Sequence, residues 1–171
     1  MLMPGDLHYF SLLRPFSEYS IAKKFAKLTA YHGTFISCNR AYQLSPSGRL
    51  SAWCGDCPKC RFVFLILAPF LDPEPLIAIF GKNLLDDPLA IPAFDLLREQ
   101  GGPKPFECVG EQEEIQLAID QLALRAAWRD TAVISALTAS GHEAGAPSQV
   151  VERSEAHIVP GAFARALDEI G

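Results

Sequence analysis

Three cysteines close the run "SAWCGDCPKC" (residues 51–60), at Cys54, Cys57 and Cys60, and a fourth, Cys38, stands upstream with fifteen residues between it and Cys54. Four thiolates suit a tetrahedral zinc ion, at about 2.3 Å per Zn–S bond. A Cys-x2-Cys turn is tight enough for both sulfurs to reach one ion. Gly55 permits that backbone and Pro58 stiffens the second turn. A site of four cysteine ligands leaves no open coordination position, so its expected role is structural, with Zn2+ stapling the preceding loop to the following apolar segment. The rival reading takes "WCGDC" alone, which resembles a thioredoxin redox centre. That motif should end a buried strand and open a helix. The residues before it, "YQLSPSGRLSA", do not read as a buried strand, and a dithiol leaves Cys38 and Cys60 unexplained.

The fifth cysteine, Cys108, lies apart in "KPFECVG". It reads as a small buried hydrophobe or as a reactive thiol tuned by its neighbours Lys104 and Glu107. The histidines His8, His32, His142 and His157 form no ligand pair at helical spacing, and a surface or capping role suits His32.

The elements that must position these groups read mainly as helix. Ser17 can N-cap a helix reaching about Tyr31, with Ile21, Phe25 and Leu28 on one side and Lys23, Lys24 and Lys27 on the other. Residues 33–53 read as loop, broken by Pro46 and Gly48. The apolar run from Phe62 is open to two readings, a helix begun at Pro58 or a short strand. "LDPEP" reads as a bend. Asp87 and Pro88 begin a helix ending at Gln100, and "EQEEIQLAIDQLALRAA" is the strongest helix, with Ile115, Ile119 and Leu122 on one face and acidic residues at its start. "TAVISALTAS" can continue a helix, and "PGAFARALDEIG" predicts a short terminal one. The expected fold class is mainly α with minor β: a helical zinc-stabilised domain over residues 1–130 and a helical or linker tail over 131–171.

With 171 residues, 49% hydrophobic and 20% charged, the chain can bury a sizeable core. A net charge of −5 argues against a general nucleic-acid grip. No signal peptide is visible, and the longest apolar run, residues 62–71, is too short to span a bilayer and is interrupted by Pro69. Cysteines in such a chain point to a reducing, cytoplasmic setting without membrane or nucleic-acid partners.

The cysteine pattern is similar to the zinc motif of the 7-cyano-7-deazaguanine synthases, which are ATP-pyrophosphatase enzymes. A larger set of residues, "SEYSIAKKFA", "SCNRAY", "WCGDCPKCRFVFLILAPF", "IFGKNLLDDP" and "KPFECVGEQEE", resembles the C-terminal half of the UDP-N-acetylmuramoyl-L-alanyl-L-glutamate epimerases over roughly residues 7–125. The resemblance implies an ATP- and magnesium-dependent reaction of peptidoglycan precursor synthesis. The α-carboxylate of the terminal L-glutamate is activated as an acyl-adenylate, and a base then removes the acidified Cα proton. Reprotonation on the other face gives D-glutamate, with release of AMP and pyrophosphate. On this reading Glu107 or Cys108 exchanges the proton, Lys104 pairs with a carboxylate and Arg40 holds a phosphate oxygen. An ordinary surface charge for Glu107 and a salt bridge for Arg40 are equally available.

The family's ATP site is expected in an N-terminal part with an SGGxDS-type loop. This sequence has no such loop, no GxGxxG and no GxxxxGK[ST]. The expectation is therefore an epimerase part that works with the UDP-muramoyl-dipeptide substrate and an ATP-binding partner chain, its uncovered apolar face closed by that partner or by a homodimer. The alternatives are a non-catalytic zinc-stabilised binding module and a thiol oxidoreductase.

Overall fold

The computed structural model describes residues 9–98, 109–140 and 153–170. Seven α-helices form there: α1 (Glu18–Phe25), α2 (Pro58–Leu67), α3 (Pro73–Phe80), α4 (Ile91–Arg98), α5 (Gln112–Leu124), α6 (Ala132–Ala139) and α7 (Ala164–Ile170). No strand forms among the described residues, only one isolated antiparallel bridge between Phe16 and Arg153. The mainly helical expectation is met.

Helix α2 is the axis of the core. Pro58 occupies its first turn, where a missing N–H costs nothing, and Cys57 precedes it in extended conformation. That start settles the apolar run as helix. Phe62, Phe64, Leu65, Ile66 and Leu67 are all buried, because α1, α3, α4 and α5 pack around α2. The face of α5 expected from its periodicity is the buried one, with Ile115, Ala118, Ile119 and Leu122 inside. A capping box between Glu111 and Glu114 opens α5. The buried Glu114 carboxylate also accepts the Tyr19 amide of α1, at 3.1 Å. Just before α5, Gly110 has φ +67°, and a Cβ there would lie 2.6 Å from the Phe62 ring. Glycine is required at this approach.

Helix α6 belongs to the same core through Val133, Ile134 and Leu137. The buried Arg98 of α4 donates to Leu137 O at 3.0 Å and to Ser140 Oγ at 3.1 Å, closing the end of α6. Helix α7 packs elsewhere. Leu167 and Val159 join Phe16 in a small second cluster, tied by a Ser154 N–H to Pro15 O bond of 2.7 Å.

Three sequence expectations are revised. The helix capped by Ser17 begins as expected, with Ser17 Oγ accepting the Ser20 amide, but α1 ends at Phe25 rather than near Tyr31. The chain breaks at Leu28, tightens into a 3-10 turn at Thr29–Tyr31, and His32 Nε2 donates to Phe25 O at 3.1 Å. His32 therefore has the capping role. The "LDPEP" bend is the start of α3, with Asp72 at the N-cap position, Pro73 in the first turn and Gly81 in left-handed conformation at the other end. The stretch after Asp87 starts as a 3-10 turn at Pro88–Ala90, where Asp87 Oδ1 accepts the Leu89 amide, and α4 follows from Ile91. The expected end at Gln100 lies outside the described residues.

Candidate metal centre

The loop between α1 and α2 carries the first sulfur, and the start of α2 carries the last. Cys38 precedes a 3-10 turn (Asn39–Tyr42), Cys54 and Cys57 flank a turn at Gly55, and Cys60 sits in the first turn of α2. Gly55 has φ +65°, and a Cβ there would meet Lys82 Cε at 2.7 Å, so this glycine permits both the turn and the overlying lysine.

A line of aromatic contacts fixes the loop. Phe25 of α1 meets Phe35 at 4.5 Å between ring centroids, Phe35 meets Trp53 at 5.2 Å, and Trp53 meets Phe80 of α3 at 4.6 Å. Trp53 Nε1 also donates to Phe35 O at 3.2 Å. Phe80 then meets Phe64, and Phe64 meets Trp128. The loop is thus continuous with the core on both sides of the sulfur cluster.

The four Sγ atoms lie within 4.8 Å of one another. Cys54 and Cys60 are 3.5 Å apart, Cys57 and Cys60 3.5 Å, and Cys38 and Cys57 3.9 Å. A tetrahedron with 2.3 Å metal–sulfur bonds has edges of about 3.8 Å, so this cell fits one zinc ion. All four cysteines are free thiols. Cys38, Cys57 and Cys60 are buried, whereas Cys54 is half-buried.

Amides line the cluster as they do in zinc knuckles. Cys54 Sγ accepts the Asp56 N–H at 3.4 Å and the Cys57 N–H at 3.3 Å. Burial pushes the Cys54 thiol up, but these amide bonds, with those from the Cys60 and Cys38 thiols, outweigh it and bring it down to about 7. Burial holds Cys57 and Cys60 above the ordinary thiol range. Sulfurs so crowded and desolvated ionise together only with a cation among them, which is the donor chemistry zinc satisfies.

Around the cluster, Asp56 joins two arginines: Arg61 Nη2 at 2.8 Å and Arg40 Nη2 at 3.4 Å. Arg40 thus makes the salt bridge that stands as the alternative to its expected phosphate role. Asp56 and Arg61 were not singled out from sequence; opposite charges placed beside the clustered cysteines were the available signal. Lys104, Glu107 and Cys108 lie outside the described residues. Among the described residues no helix is long and apolar enough to cross a membrane.

What these observations define is a mainly helical domain organised around a four-cysteine cell. The chain belongs to the family described as the MurL C-terminal domain, whose model matches residues 34–152. It is similar to UDP-N-acetyl-alpha-D-muramoyl-L-alanyl-L-glutamate epimerases of three bacteria. The Xanthomonas oryzae pv. oryzae protein is 50% identical over 130 residues, covering 76% of this chain and 29% of that protein. The Micromonospora sp. protein is 45% identical over 163 residues, covering 93% and 36%. The Salinispora tropica protein is 50% identical over 129 residues, covering 75% and 28%. The chain thus spans about a third of the length of these curated relatives. No solved structure matches it.

Proposed function

We propose that the chain is the zinc-holding C-terminal part of an ATP-dependent epimerase. That enzyme would invert the terminal L-glutamate of UDP-N-acetylmuramoyl-L-alanyl-L-glutamate during peptidoglycan precursor synthesis. The observation that carries this reading is the 50% identity over 130 residues to a protein named for that activity, together with the family match over residues 34–152. The four cysteines would hold one Zn2+ as a closed structural site, supplying rigidity and no chemistry to the reaction. A reducing cytoplasmic setting suits such a set of thiols.

In the proposed reaction, ATP with Mg2+, bound by the remaining part of the enzyme, converts the α-carboxylate into an acyl-adenylate with loss of pyrophosphate, and after epimerisation water cleaves the adenylate to AMP and the free carboxylate. The physical reason is charge. A carboxylate anion opposes a second negative charge at Cα, whereas the mixed anhydride lets the enolate delocalise. Glu107 or Cys108 would then move the Cα proton, with Lys104 pairing a substrate carboxylate and Arg40 a phosphate oxygen.

The test of the proton-moving residues is Cα deuterium exchange in a full-length relative carrying changes at the positions matching Glu107→Gln and Cys108→Ala. At least one is expected to slow exchange by about a hundredfold or more, the ordinary contribution of a positioned acid or base. Unchanged exchange in both variants would remove both residues from the mechanism.

A further inference from the structure

Two arginines converge on one exposed carboxylate beside the sulfur cluster. Asp56 Oδ1 accepts from Arg61 Nη2, and Oδ2 accepts from Arg40 Nη2. Each guanidinium uses one nitrogen in this bridge, and the other nitrogens of both have no partner among the described residues. We infer that Arg40 and Arg61 form an oxyanion site for a phosphate ester, and that Asp56 occupies this site until the ligand displaces it.

Placement supports this reading. Arg40 follows Cys38 by two residues, Arg61 follows Cys60 by one, and Asp56 lies inside the Cys54–Cys57 turn. The sulfur cell therefore fixes the spacing of all three, which lowers the ordering cost of binding. Guanidinium forks match the geometry of a phosphate, and a dianion attracts both arginines more strongly than one carboxylate does. The side chain of Asp56 is 59% exposed, so it can swing aside into water. Residues 38–61 carry Arg40, Arg49, Lys59 and Arg61 against Asp56 alone, in a chain whose net charge is −5. A competing account has the arginines only balancing a zinc tetrathiolate, whose charge is −2.

The nature of the anion, a nucleotide-linked diphosphate, rests on the epimerase reading; the site itself does not. The probe is UDP, titrated calorimetrically into the zinc-loaded full chain, with uridine as the neutral control. UDP is expected to bind, more weakly as salt rises, and uridine is not. Arg40→Gln and Arg61→Gln should each weaken UDP binding about tenfold, the value of a charged hydrogen bond. Asp56→Asn should tighten it about threefold or more by removing the competing carboxylate. Metal content is measured for each variant. If Arg61→Gln loses zinc, the half-exposed Arg40 and Asp56 still decide the outcome. No UDP binding by either the parent chain or Asp56→Asn overturns the site, as does UDP binding unmoved by Arg40→Gln. Zinc loss from both arginine variants without UDP binding by the parent assigns them to charge balance instead. An active epimerase insensitive to these changes would refute the site alone, whereas UDP binding without epimerase activity would spare the site and refute the enzyme reading.

Discussion

With zinc held by the four sulfurs as proposed, replacing Cys60 with serine is expected to strip it and open the first half of the domain. Cys60 is fully buried and lies 3.5 Å from both Cys54 Sγ and Cys57 Sγ. A hydroxyl is a poor zinc ligand, so three sulfurs remain around a cell that fits four. Structural zinc contributes on the order of 10 kcal/mol of apparent binding energy in small metal-folded peptides, and part of it is folding energy. Here α2 keeps its apolar contacts with α1, α4 and α5, so the loss should be several kcal/mol and local before it is global. Zinc content should fall from one per chain to none, and the urea midpoint should drop. Amide protection should vanish across residues 34–57 first. A variant retaining one zinc and parental stability would remove Cys60 from the metal site.

The second large effect lies at the opposite end of α2. Trp128 is fully buried, meets Phe64 edge-on at 5.9 Å, and donates from Nε1 to Leu71 O at 3.1 Å. Beside it Arg125 Nη1 donates to Ala68 O, Pro69 O and Leu71 O, and Nη2 reaches Asp72 at 2.6 Å. Together they satisfy the carbonyls left free where α2 ends. Trp128→Ala should cost about 3–5 kcal/mol, the usual cost of a large aromatic cavity, and lower Tm by on the order of 10 °C. Trp128→Phe should cost much less, because most of the volume remains and Arg125 still serves Leu71 O. A melting temperature within 2 °C of the parent for Trp128→Ala, against that expected drop, would show that the ring is not packed as described.

The clustering of the four sulfurs was legible in the sequence because its geometry is local. Cys-x2-Cys-x2-Cys spacing, Gly55 and Pro58 follow from what a tight sulfur-bearing turn needs. The buried face of α5 was legible because its apolar positions recur at helical spacing. Other features depend on residues far apart in the chain. Arg125 and Trp128 act on carbonyls more than fifty residues upstream, and nothing near position 125 signals that. Arg98 likewise closes a helix that begins at Ala132. The start of α3 was misread for a different reason. Its prolines suggested a bend, although Asp72 followed by Pro73 obeys the same helix-start rule applied to Asp87 and Pro88. At α1 the periodicity ran past the true end, because the break at Leu28 belongs to the backbone and not to the apolar pattern.

The most direct test of the epimerase assignment is a hybrid enzyme. Residues 34–152 of this chain would replace the matching stretch of the Xanthomonas oryzae relative, and the purified protein would be checked for one zinc. Deuterium uptake at the glutamate Cα of UDP-N-acetylmuramoyl-L-alanyl-L-glutamate would then be followed with ATP and Mg2+. The expected result is ATP-dependent uptake with formation of the D-glutamate product. A folded, zinc-loaded hybrid with no uptake, beside an active parent relative, would contradict the assignment.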